Sequence, residues 1–258
     1  MVKKRDRRFF EGVLQVDVDF EGEKAKLPIF YYDTSCLTAI FPASLCKLRR
    51  ILPKKDFHPL PVVPGVGALA ITAFEYRDTD IRPYNEISIS ILISYRKRAI
   101  LPMAGLLESL ARNEIHTYIH HLPVTTAVAL NGGVQVYNYP KFLSEIPYED
   151  RGDHIYTALR EKGEPILEMR ARKLPVEGER LLRFVTYPVK SGRAQEANVL
   201  FHAKKIATSF NPGCVEIQFG KNHPIGRELE DLILWKKAIY YMYVPESQAI
   251  LYGPSFLE

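Results

Sequence analysis

Tyr84-Asn85-Glu86-Ile87-Ser88-Ile89-Ser90-Ile91-Leu92-Ile93 alternates strictly in character. Ile87, Ile89, Ile91 and Ile93 share one face, and Glu86, Ser88 and Ser90 share the other, which is the period of a β-strand. The apolar face needs a core. The polar face has two readings: solvent if the sheet is open, or the wall of a ligand cavity if it closes on itself. Upstream, Val66 to Tyr76 reads as a long strand of small apolar residues (Gly67, Ala68, Ala70, Ala73). Such residues mark close backbone approach, or room for something.

Further strands are expected at Val13–Phe20 and Leu27–Tyr32, forming a hairpin around Glu21-Gly22-Glu23, and at Glu114–Leu122. Ile155–Leu159, Ile166–Ala171, Leu182–Val189 and Val199–Ser209 read as successive antiparallel strands, with turns at Lys162-Gly163, Glu177-Gly178 and Ser191-Gly192. Late strands follow at Ala238–Tyr243 and Ala249–Tyr252, on either side of Pro245. Asp33-Thr34-Ser35 offers capping oxygens to a short helix through Ile40. Pro42 then opens a second helix with Leu45 and Leu48. Leu101–Arg112 reads as a loop with a helical turn, and Thr125–Leu130 as a short helix ending at Gly132-Gly133. Pro224 opens a helix capped by Asn222 or His223, with Ile225, Leu229, Leu232 and Ile233 as its buried stripe. The sum is a strand-dominated α+β domain over residues 1–258: a curled or closed antiparallel, barrel-like sheet with a few peripheral helices.

Composition narrows the class. The 258 residues are 47% hydrophobic and 25% charged, ordinary for a folded domain. The net charge of +5 is partly local to residues 1–8, read as a frayed basic terminus. No nucleic-acid signature accompanies it, so no nucleic-acid partner is expected. No stretch reaches the roughly 20 apolar residues that span a bilayer, and no signal-peptide core follows the first residues, so cytoplasmic is the default. Cys36, Cys46 and Cys214 are scattered and form no CxxC pair, as expected of reduced thiols. His116 and His120 share a strand face without a companion carboxylate at ligand spacing, so no metal is expected. Asp150, Asp153 and His154 read as solvated, and Trp235 as a core anchor. Sheet edges and the run Tyr240-Tyr241-Met242-Tyr243 make a homo-oligomer plausible.

The candidate chemistry lies at Asn131-Gly132-Gly133-Val134-Gln135-Val136-Tyr137-Asn138-Tyr139-Pro140-Lys141-Phe142-Leu143. A single lysine stands among aromatics, with no Asp or Glu from Asn131 to Ser144. It can snorkel to water at a strand end. Alternatively, aromatic burial can strip its proton and make it a nucleophile toward carbonyls, provided no carboxylate is close.

The run Gly133 to Lys141 resembles the acetoacetate decarboxylase family, in which a glycine-led approach reaches an aromatic-Pro-Lys triplet. Tyr84-Asn85-Glu86 is similar to a strand start bearing one of that family's active-site glutamates. Tyr31–Pro42 resembles its early Tyr-x-Thr helix, and Val215–Tyr252 its closing run. The resemblance implies a Schiff-base lysine at Lys141 and a proton-handling or orienting Glu86 held at some distance from the amine. It implies substrate contacts from Tyr139, Phe142, Tyr84 and Gln135, a small β-keto acid substrate, and no cofactor. Departures are visible. Phe142 stands where the decarboxylases carry a second lysine, and Val134 and Gln135 replace an arginine and a glutamate. Leu69–Thr72 lacks another glutamate, with Glu75 nearest, and Lys24 and Lys26 are the cations closest to a missing arginine. These departures bear on substrate specificity. They leave open decarboxylation, aldol or dehydration chemistry on a larger keto acid through the same imine, or a barrel that only binds a small ligand.

Overall fold

The computed structural model describes residues 5–20, 22–96 and 102–257. Seven strands form its centre: β1 (Ile29–Ser44), β2 (Val66–Thr79), β3 (Tyr84–Tyr95), β4 (Glu114–His121), β5 (Arg180–Thr186), β6 (Arg193–Ser209) and β7 (Tyr240–Leu251). Each pairs with the next in chain order, and β7 pairs back onto β1. The sheet is therefore a closed barrel. An odd number of strands cannot close with antiparallel pairs alone, and the single parallel pair is β4–β5. The crossover between those two strands carries the lysine.

A second sheet covers one side, in the order Val215–Phe219, Glu164–Arg172, His154–Glu161, Tyr148–Arg151. The outward isoleucines of β3, all 0–1 % exposed, pack in one core with Ile155, Leu159 and Ile166 of this cover. Each such burial contributes about 1.5–3 kcal/mol. The alternation of β3 thus resolves as closed: isoleucines outward into core, Glu86, Ser88 and Ser90 inward.

Four helices lie on the periphery: α1 (Leu45–Ile51), α2 (Ala104–Arg112), α3 (Ala127–Tyr137) and α4 (Pro224–Leu232). A Cβ on Gly67 would stand 2.7 Å from Leu48 of α1, so this glycine admits the helix onto β2. His223 caps α4 by accepting from the Ile225 amide. The turns at Lys162-Gly163 and Ser191-Gly192 have positive φ at both residues, the tight hairpin geometry.

Several expectations are corrected. Thr34 to Ile40 is strand, not helix, because β1 is sandwiched between β2 and β7 and buried on both faces, which overrides local capping signals. The N-terminal hairpin pairs Val16–Phe20 with Glu23–Leu27 rather than with Leu27–Tyr32; Glu21 lies outside the described residues. Residues 104–112 form a full helix, and Leu101 is outside the description. Of the basic terminus, residues 1–4 are likewise outside. Arg5 is not frayed: it forms a two-toothed ion pair with Asp78. β5 does not continue the cover sheet but joins β4 in the barrel. β7 runs through Pro245 as one strand, with a register shift between Val244 and Ser247 that accommodates the missing amide donor. Its tyrosines are buried, and β7 is paired on both sides, with β6 and with β1. Trp235 is 58 % exposed and anchors no core.

Candidate active site

The barrel encloses a cavity of about 160 Å³, roughly ten times what one water needs. Its middle is lined by small side chains (Cys36, Thr38, Ala70, Thr72, Ser88 and Ser90), so the interior stays hollow where larger residues would fill it.

Lys141 reaches this cavity by three local devices. The segment after α3 is pinned beside Val124: the Leu122 amide donates to the Pro140 carbonyl and the Val124 amide to that of Phe142. Val124 in turn bridges to Glu86 on β3. The lysine therefore faces Glu86 across a single residue of intervening chain. Asn138 ends α3 in the left-handed region, φ 53°, turning the chain toward the barrel. Gly133 lets the side chain pass, since a Cβ there would lie 2.2 Å from Lys141 Cε and 2.3 Å from its Cδ. α3 runs through both glycines, and Gly133 is where the lysine stem crosses the helix, not the helix end that the sequence suggested.

Lys141 Nζ lies 2.5 Å from Glu86 Oε2, with side chains 6 % and 8 % exposed. The expectation of an amine kept away from every anion is overturned. The carboxylate arrives from a strand 55 residues earlier, where local sequence could not show it. The contact gives Lys141 a carboxylate partner inside the barrel. Two charges taken out of water are each costly, however.

Tyrosines surround the pair. Tyr76 donates to Glu86 Oε1 at 3.2 Å, the hydroxyls of Tyr31 and Tyr84 lie 3.2 Å apart, and Nζ stands 5.9 Å from the Tyr84 ring centre. Burial, with the Glu86 charge adding to it, pushes the Tyr31, Tyr76 and Tyr84 phenols well above their ordinary range. They remain neutral hydrogen-bond donors. Tyr139 meets Thr186 at 2.6 Å, and Thr186 itself donates to the Ala197 carbonyl, so Tyr139 is the donor in that pair. Tyr137 stacks flat on Tyr139, and its buried hydroxyl has no hydrogen-bond partner among the described residues.

Of the sequence candidates, Lys141, Glu86, Tyr84 and Tyr139 line one cavity. Phe142 and Gln135 do not. Alternation past Lys141 turns Phe142 into the core under the cover sheet, and Gln135 is half-buried on α3 with its carbonyl accepting from Lys190. Glu75 pairs with Arg77, away from the cavity. Sequence reasoning missed Tyr31, Tyr76, Tyr137, Thr186 and Gly133. Tyr76 was legible in principle, ten residues from Glu86 across a short turn between neighbouring strands.

Elsewhere, among the described residues, stands a group of potential metal ligands. On β4, Ile89 faces His121 while Ser90 faces Ile119, leaving His120 as the extra residue of a bulge. The bulge turns two consecutive imidazoles toward one carboxylate: His120 and His121 each bond Glu228 of α4 at 2.8 Å. Their ligand atoms lie within 4.8 Å of one another. The carboxylate missing from the sequence reading is thus 107 residues away from His121. The two histidine bonds hold Glu228 down to about 2, from an ordinary 4.5. A depressed carboxyl contributes stability above its unfolded value and loses it as pH falls toward the folded one. Glu228→Gln is expected to lower Tm at pH 6, with the gap from wild type closing between pH 4.5 and about 2. A gap unchanged across that window would remove this clasp from the account.

A search among curated proteins finds no match. Solved structures do match in fold. The crystal structure of acetoacetate decarboxylase from Legionella pneumophila aligns over 90% of this chain and 87% of its own, at 10% identity and TM-score 0.64. Enduracididine biosynthesis enzyme MppR complexed with pyruvate aligns over 89% and 90%, at 14% identity and TM-score 0.61. An acetoacetate decarboxylase-like enzyme from Sphingomonas wittichii RW1 aligns over 89% and 93%, at 12% identity and TM-score 0.56. The family profile described as acetoacetate decarboxylase matches residues 9–223, a span holding β1 to β6, Glu86 and Lys141, and on that match this chain belongs to the acetoacetate decarboxylase family.

Proposed function

We propose that the protein is a carbon–carbon lyase that decarboxylates a β-keto acid through an imine on Lys141. The observation that carries this reading is the buried Lys141–Glu86 pair at 2.5 Å, facing a cavity large enough for an organic acid. An ammonium is no nucleophile, so its proton must leave first. Glu86 is in place to take it, which turns two buried charges into two neutral groups. The amine then adds to the ketone carbon. Glu86 returns the proton to the departing hydroxyl, water leaves, and a protonated imine remains. That cation accepts the electron pair of the breaking bond when the carboxylate departs as carbon dioxide. The resulting enamine takes a proton at carbon, and water releases the ketone and the free lysine. Tyr76 steadies Glu86 throughout by its hydrogen bond.

The cavity end around Lys141 offers neutral phenols rather than a second cation, since Phe142 points elsewhere. A carboxylate bound there is not stabilised by charge, which favours its loss. A second reading keeps the imine and uses the same Glu86 proton transfer for aldol or dehydration chemistry. Borohydride reduction with a keto acid tests both readings: a stable adduct on Lys141, absent in Lys141→Met, is the expected result. Release of carbon dioxide at the rate of turnover selects decarboxylation. Absence of any adduct across keto acids would leave a binding barrel only.

A further inference from the structure

We infer that the substrate carries an extended apolar tail beyond its keto-acid head; this rests on the imine reading of Lys141 given above. The cavity is not a local pocket around the lysine. Every inward residue of β3 from Glu86 through Ser88 and Ser90 to Leu92 lines it. The six steps of strand from Glu86 to Leu92 span roughly 20 Å, and a strand tilt of about 40° leaves roughly 15 Å along the barrel axis. A zigzag of bonds of about 1.5 Å advances less than that per bond, so this length takes at least about ten carbons. Acetoacetate would occupy only the first part.

The chemistry of the lining is graded in the same direction. Lys141, Glu86, Tyr31, Tyr76, Tyr84 and Tyr139 cluster at one end with their side chains buried, while Tyr240 and Arg180 also line the cavity. Beyond them the wall becomes apolar: Ile40, Leu92, Leu106, Leu182, Phe201 and Met242. The hydroxyls in between do not ask for a ligand where they meet each other, as Thr38 and Thr72 do at 3.0 Å. At the far end stand Asn113 and the solvent-exposed Arg180, next to Leu110 near the end of α2. A ligand with its ketone at Lys141 therefore lays its remaining chain along an apolar bore. Hydrophobic burial along such a bore is non-directional and grows with each methylene.

The test uses the full-length protein and straight-chain methyl ketones of three to eleven carbons, the products expected of the β-keto acids one carboxylate longer. Calorimetric titration is expected to show affinity rising about fourfold per added methylene, equivalent to ~0.8 kcal/mol each, and levelling off near ten carbons. Affinity flat or falling with length would overturn the tail. An ω-carboxylated ketone binding tighter than its methyl-ended counterpart would also overturn it, by assigning the far end to Arg180 and a second charge. Ser90→Met narrows the bore midway and is expected to cost the nine-carbon ketone at least tenfold more than it costs acetone. Equal losses for both ketones would count against the bore. Borohydride trapping on Lys141 is scored separately. Length-dependent binding without an adduct would sink the imine and keep the tail; an adduct with flat binding would do the reverse.

Discussion

Glu86→Gln is expected to lower turnover by roughly 10²–10⁴-fold, the range for losing a positioned proton carrier. The amide keeps the size and can still accept a hydrogen bond from Lys141, but it cannot remove the lysine's proton or return one to the leaving hydroxyl. The variant separates two ideas that the geometry brings together. If burial alone made the lysine reactive, removing the adjacent anion would favour the neutral amine and speed imine formation. If Glu86 is the proton acceptor, imine formation slows. Single-turnover borohydride trapping reads that step directly, and trapping as fast as wild type would refute the proton relay. Stability gives an independent readout. Losing one partner of a buried pair costs about 3–5 kcal/mol when the survivor stays charged. Lys141→Met and Glu86→Gln together are therefore expected to be less destabilising than the sum of the two single changes.

Gly133→Ala is expected to reduce turnover by at least 10²-fold with an unchanged fold. The added methyl would sit 2.2 Å from Lys141 Cε, far inside van der Waals contact, so either α3 or the lysine must move. Misplacing a reacting group by about 1 Å costs on the order of 10²-fold. The overpacking is expected to cost about 1–3 kcal/mol, although alanine is the better helix former by up to 1 kcal/mol. The decisive control is Gly133→Ala in a Lys141→Ala background. There the clash has no partner, and the destabilisation should vanish or turn into a gain. Persistent loss of stability in that background would place the cause elsewhere in α3.

Legibility followed the range of the interaction. The two faces of β3 could be read without a structure because alternation is local, and Glu86 could be placed on its polar face for the same reason. Lys141 was visible as the one cation in an aromatic stretch. What could not be read was that these two residues touch, because the contact passes through Val124 and depends on a parallel crossover. The lysine's neighbours in sequence carry no anion, and its carboxylate partner arrives from a strand 55 residues away. β1 was misread for a related reason: Asp33-Thr34-Ser35 makes good caps in isolation, and burial between β2 and β7 decides otherwise. Phe142 was placed one face wrong, since a residue adjacent to Lys141 in an extended segment points away from it.

The lone parallel seam between β4 and β5 has a consequence for how this protein can be altered. Neighbours running in the same direction cannot be joined by a hairpin, so some long return path must travel the length of the barrel at that point. Lys141 rides on that obligatory path. Shortening the segment would also strain the ring, while the cover strands beyond residue 144 can change only as far as they keep burying the isoleucines of β3. The turns that join those cover strands are therefore the accessible place for change that spares both the ring and Lys141.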